Sequence, residues 1–133
     1  MSSCDPVEEA SQAEEYFASG FFRSIDVCGG EGIRPADAFL PLYRKAEQYS
    51  LVKRMHVGET GSPDDMERAL DTLGLDEIHH GISAASSPRL MRILEDRKIR
   101  LNVCPASNIM LGIVSSYASH PVRTLSDSMA SRS

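Results

Sequence analysis

Apolar and polar positions in this chain follow two alternating periods. Short, dense apolar runs predict strands over residues 23–28, 52–58, 77–80 and 99–104. Between them, apolar residues recur every three or four positions, which is the helical spacing. One helix is predicted over 40–49, with Pro41 near its start. A second begins at Ser62-Pro63-Asp64-Asp65, where a cap and a proline precede acids at the positive end of the helix dipole; Met66, Leu70 and Leu73 form its apolar face and Gly74 ends it. A third begins at Ser87-Pro88 and carries Leu90, Ile93 and Leu94. Ahead of the first strand, Asp5 can cap a helix with Pro6 at its first position, Glu8 in a capping-box-like place, a sparse stripe of Ala10, Ala13 and Phe17, and Gly20 as its stop. Its run of Glu8, Glu9, Glu14 and Glu15 reads as a solvated face. After the fourth strand the pattern gives a loop through 108–114 and a weak final helix after His120-Pro121.

Strands alternating with helices imply right-handed βαβ units and a parallel sheet. The fold class is therefore α/β, with about four parallel strands and flanking helices. The chain has 133 residues, whereas a complete (β/α)8 barrel takes about 250 and at least roughly 200. The expectation is a partial barrel of TIM type over 1–125, followed by a small polar tail over 126–133 expected to be disordered. An open parallel sheet leaves one face and two edges bare, which predicts self-association through the barrel edges.

Composition narrows the partners. The formal net charge is −5, an acidic balance that argues against nucleic acid and anionic membrane surfaces, both of which require a cationic face. No apolar run approaches the roughly 18 residues of a membrane span. The first five residues show neither a basic start nor an apolar stretch, so no signal peptide is expected. Cys4, Cys28 and Cys104 are odd in number and without paired spacing, which suggests free thiols in a reducing, cytoplasmic setting. Cys28 and Cys104 are expected to be small buried hydrophobes. No two cysteines have the spacing of a zinc pair.

The chemistry concentrates where the second and third strands end. His56-Val57-Gly58-Glu59 closes one apolar run, and His79-His80-Gly81 closes the next, His80 lying 24 residues after His56. That distance is about one β-α unit, so imidazole and carboxylate groups would emerge side by side at the rim where barrel enzymes place their catalytic residues. On the residues alone, His56 and Glu59 could equally be a polar strand end, His80 a core histidine held by backbone, and His120 a cap on the last helix. Asp26 and Glu31 are expected to hold the loop after the first strand.

Four segments in order carry a more specific signal. Ile25-Asp26-Val27-Cys28-Gly29-Gly30-Glu31, His56-Val57-Gly58-Glu59-Thr60-Gly61-Ser62-Pro63, His79-His80-Gly81-Ile82 and Val103-Cys104-Pro105-Ala106-Ser107-Asn108 resemble the I-D-L-A-G-D-E, H-A-G-E-x-G-S-P, G-H-G-I and V-C-P-T-S-N segments of the adenosine deaminase family. Leu111-Gly112 and His120-Pro121 follow in the same order, so the resemblance runs over 25–121. It implies zinc-dependent hydrolytic deamination of adenosine or a related 6-aminopurine nucleoside or base to the 6-oxo product. It makes His56 a zinc ligand, Glu59 the acid that protonates the purine ring, His80 the residue that orients the attacking water, and Gly29 a backbone donor to the purine. It also implies that the four strands are the fourth to seventh of eight.

Two departures stand against it. The family's H-x-H pair and its Asp-Asp pair are absent from the 133 residues, so one zinc ligand of the family set is present where a catalytic zinc needs three. Position 79, a glycine in the family pattern, is His79. The second expectation is accordingly a catalytically dead half-barrel that serves as a structural or interaction module. The other zinc deaminase pattern, with P-C-x-x-C, is excluded because Cys104 has no cysteine partner.

Overall fold

The structure, a computed structural model, describes residues 6–29, 31–32 and 34–130. Helix α1 (Pro6–Ala18) precedes strand β1 (Ser24–Val27). A 3-10 turn (Ala36–Phe39) leads into α2 (Leu40–Gln48), followed by β2 (Val52–Val57), α3 (Pro63–Leu73) and β3 (Glu77–His80). A second 3-10 turn (Ile82–Ser86) leads into α4 (Pro88–Asp96), then β4 (Arg100–Asn102), α5 (Pro105–Met110) and α6 (Val122–Ala130). The strands form one parallel sheet in the order β1-β2-β3-β4. Sequential right-handed crossovers place the connecting helices on the same face of such a sheet. The fold is thus a four-stranded segment of a (β/α)8 barrel.

Local chemistry explains the element ends. Ser62 caps α3 in a full capping box with Asp65, and Gly74 closes the helix in the left-handed conformation. Ser87 caps α4 by accepting from the Leu90 N–H. The Asp5 cap expected for α1 lies outside the described residues.

The apolar sides of the strands and helices meet in one main core. Ile78 packs there with Tyr43, Met66, Leu70, Leu90 and Leu94, all almost fully buried. Ile25, Val27, Met55 and Leu101 join it from the other strands. A smaller cluster of Ala13, Phe17, Ala46 and Leu51 fastens α1 to α2.

The opposite sheet face is polar, because alternate strand residues point there. Register places Asp26, Arg54, Glu77 and Arg100 in one row across the four strands. His56, His79 and Asn102 form the next row towards the strand ends. Glu77 lies between two guanidinium groups, 2.8 Å from Arg54 Nε and 3.0 Å from Arg100 Nη1. The Arg54 contact is electrostatic, since Nε is not aligned for a hydrogen bond. Burial raises the Glu77 pKa, but the Asn102 amide and the two arginines outweigh it and the net shift is downward.

Three expectations are corrected. Residues 108–110, expected in a loop, close the helix Pro105–Met110, and Asn108 is buried within it. Cys28 and Cys104 are exposed rather than buried. Both follow strand ends in phase with the polar row, Cys28 two residues after Asp26 and Cys104 two after Asn102, so neither reaches the core. The chain also continues as helix through 126–130, where a disordered tail was expected; Leu125 is buried and Met129 packs against the core.

Candidate active site

The loop after β2 is shaped by close backbone approach. Gly58 has φ +79°, and a Cβ there would stand 2.7 Å from Met66 Sδ and 3.0 Å from Gly81 Cα. The glycine of H-x-G-E is therefore dictated both sterically and conformationally. Glu31 holds the same loop. Its carboxylate accepts N–H groups of Gly58, Glu59 (3.0 Å) and Thr60 (2.8 Å). Burial pushes the Glu31 pKa up, but the backbone donors prevail and the net shift is downward. Glu31, expected to hold the loop after β1, thus reaches from that loop to fix the backbone of the loop after β2. Asp26 does something else: it faces the histidines.

With the loop fixed, Glu59 reaches a buried polar chain. Its Oε1 accepts from Asn108 Nδ2 at 2.6 Å and lies 3.3 Å from His80 Nδ1. Asn108 Nδ2 is also 3.3 Å from His80 Nδ1, and Asn108 Oδ1 is 3.0 Å from His120 Nε2. The Val122 N–H donates to His120 Nδ1 at 3.0 Å. That last bond makes His120 Nδ1 an acceptor, so a neutral His120 carries its proton on Nε2 and donates it to Asn108 Oδ1. The amide orientation of Asn108 follows, with its NH2 turned to Glu59 and His80. The expected helix cap by His120 is thus present, and it also sets hydrogen-bond polarity in the site. His80, at φ +68°, is turned by β3's end towards Glu59.

A second group lies on the polar sheet face. Asp26 Oδ1 is 3.1 Å from His56 Nδ1, and Asp26 Oδ2 is 3.7 Å from His79 Nε2. The rings of His56 and His79 stack with centroids 4.5 Å apart, and His56 lies 5.4 Å from the His80 ring. Burial lowers the His79 pKa, the nearby Asp26 charge works the other way, and the net shift is downward. Asp26, His56 and His79 can each offer one ligand atom, all within 4.8 Å of one another. Two imidazoles and a carboxylate suit zinc or a similar divalent ion.

The structure therefore brings together three of the four sequence-selected residues, His56, Glu59 and His80. Gly29 sits at φ 138° just beyond β1 and lines a cavity of about 580 Å³ with Asp26 and His56. That cavity opens between the β1–α2 connection and α3, and its walls include neither Glu59 nor His80. The hydrogen-bonded network, rather than the cavity, defines the candidate site. Sequence reasoning assigned no role to Asn108, which has 0% exposure, although the V-C-P-A-S-N segment contained it.

The fold is a parallel barrel segment that carries a buried polar network at its strand ends. The comparisons name its kin. The adenosine deaminase family profile matches residues 5–132, and the chain belongs to that family. It is 38% identical over 115 residues to a putative adenosine/adenine deaminase of Treponema pallidum, covering 86% of this chain and 38% of the relative. It is 30% identical over 121 residues to an adenosine deaminase of Clostridium kluyveri, covering 91% and 34%. The crystal structure of an adenine deaminase from Arthrobacter aurescens superposes with a TM-score of 0.84 at 27% identity, covering 92% of this chain and 38% of that one. The chain spans little more than a third of the length of these relatives.

Proposed function

We propose that this chain carries the acid–base part of a zinc-dependent hydrolytic deaminase acting on adenosine, adenine or a related 6-aminopurine. The observation that supports it most is Glu59, held by Asn108 and His80 at the end of β2. Water adds to C6 of the purine and ammonia leaves, so a ring nitrogen gains charge unless an acid protonates it. Glu59 fits that role. One carboxyl oxygen is occupied by Asn108 and His80, and among the described residues Oε2 has no partner, which leaves it for the ring. His80, fixed through Nδ1, is suited to orient the attacking water. Gly29 is suited to offer its backbone N–H to the purine.

A divalent metal held beside His56 would supply the lowered water pKa that makes a nucleophile at neutral pH. The relatives' names divide between adenosine and adenine, so the substrate is chosen by assay. Purified chain supplied with zinc is expected to release ammonia from one of adenosine, deoxyadenosine or adenine, and the order of rates identifies the substrate. Absence of release from all three favours the module reading.

A further inference from the structure

The geometry points to a divalent-metal site formed by Asp26, His56 and His79 alone, with His79 as a metal ligand that the family pattern does not contain. Three adjacent parallel strands supply one donor each. His56 and His79 are register partners on β2 and β3, and Asp26 lies one row below on β1, in register with Arg54. Register partners in a parallel sheet project to the same face, so the two imidazoles are brought together by the backbone rather than by chance rotamers.

The distances are near those of a ligand set. Donor atoms around zinc, with bonds of about 2.0–2.1 Å, lie about 3.3 Å apart in a tetrahedron. The two oxygens of Asp26 stand 3.1 Å from His56 Nδ1 and 3.7 Å from His79 Nε2, and one donor from each residue falls within 4.8 Å of the others. Two imidazoles with one carboxylate are also the donor set of catalytic zinc sites that keep a fourth position open. A glycine at position 79, as in the family pattern, offers no donor. These residues thus bring together three donors from β1, β2 and β3, and the site stands whether or not the chain deaminates.

The experiment is metal uptake by the purified, metal-stripped chain. Zinc binding is followed by calorimetry. Cobalt(II) binding is followed by visible absorption and by hyperfine-shifted imidazole N–H signals in NMR. The wild type is expected to take one equivalent, to give a four- or five-coordinate cobalt spectrum, and to show two shifted imidazole signals. His79→Gly, His79→Gln and Asp26→Asn are each expected to bind at least tenfold more weakly, and the two His79 variants to show a single shifted imidazole. Amide spectra confirm that the variants fold; His79→Gly carries the residue of the family pattern and is the one expected to fold without loss. No uptake by the wild type, or uptake by folded His79→Gly or His79→Gln equal to the wild type's, overturns the proposal. If binding is lost in His56→Ala but kept in His79→Gly, the three-residue site falls while a family-type role for His56 survives.

Discussion

Asn108 donates to Glu59 and stands beside His80 and His120 with no solvent to replace any of them. Asn108→Ala leaves the His120 and Glu59 groups without their partner, and a buried orphan costs about 1–3 kcal/mol. Urea unfolding is expected to show that loss, together with a fall in any deaminase rate; unchanged stability would mean that the network carries little. Glu31 makes a prediction in pH. Its folded pKa lies below the ordinary value of 4.5, so its stabilisation is fully present above that value and is lost as pH falls through 4.5 towards the folded value. Stability measured at pH 7 and pH 4 should differ less in Glu31→Gln than in the wild type. An equal difference would show that the N–H groups of the loop do not hold the carboxylate. At this scale His56, Glu59 and His80 were legible, because each sits inside a short motif. Asn108 and His79 were given no part, Asp26 only a loop and His120 only its cap, because their partners come from strands and helices up to 53 residues away in sequence (His79 to Asp26, 79 − 26).

Single elements are governed by packing and end chemistry. Leu94 on α4 has no exposure and lies in the main core. Leu94→Ala is expected to lower unfolding free energy by about 2–5 kcal/mol, and a loss under 1 kcal/mol would mean that α4 packs loosely. Gly58→Ala puts a Cβ into Met66 and Gly81 at a positive φ, with backbone strain of order 1–3 kcal/mol before the clash is counted. Thermal melting should show Gly58→Ala well below the wild type. The capped helices α3 and α4 were legible from Ser62, Pro63, Ser87 and Pro88, since caps are local. The stretch over 105–110 was not. Its helix is one and a half turns long and its apolar period is too short to register, while the buried Asn108 looks like a loop residue when only polarity is read.

The whole molecule is a sheet with one covered and one polar face. Its class was legible, since four dense runs alternate with helical spacing. The polar face was hidden, because the row Asp26, Arg54, Glu77, Arg100 emerges only when four strands are placed in register. Without that register Cys28 and Cys104 read as core residues, although both are exposed. Among the described residues β1 and β4 each pair with one neighbour only. Such edges associate, so light scattering of the free polypeptide is expected to give a dimer or larger species, and a clean monomer would contradict this. We propose above that Glu59 acts as an acid on a 6-aminopurine. It is tested most directly by following 6-oxopurine formation by the zinc-supplied chain beside Glu59→Gln. The account predicts conversion by the wild type and a fall of about 10²–10⁴-fold in the variant. No conversion by the wild type, or equal conversion by the variant, contradicts it.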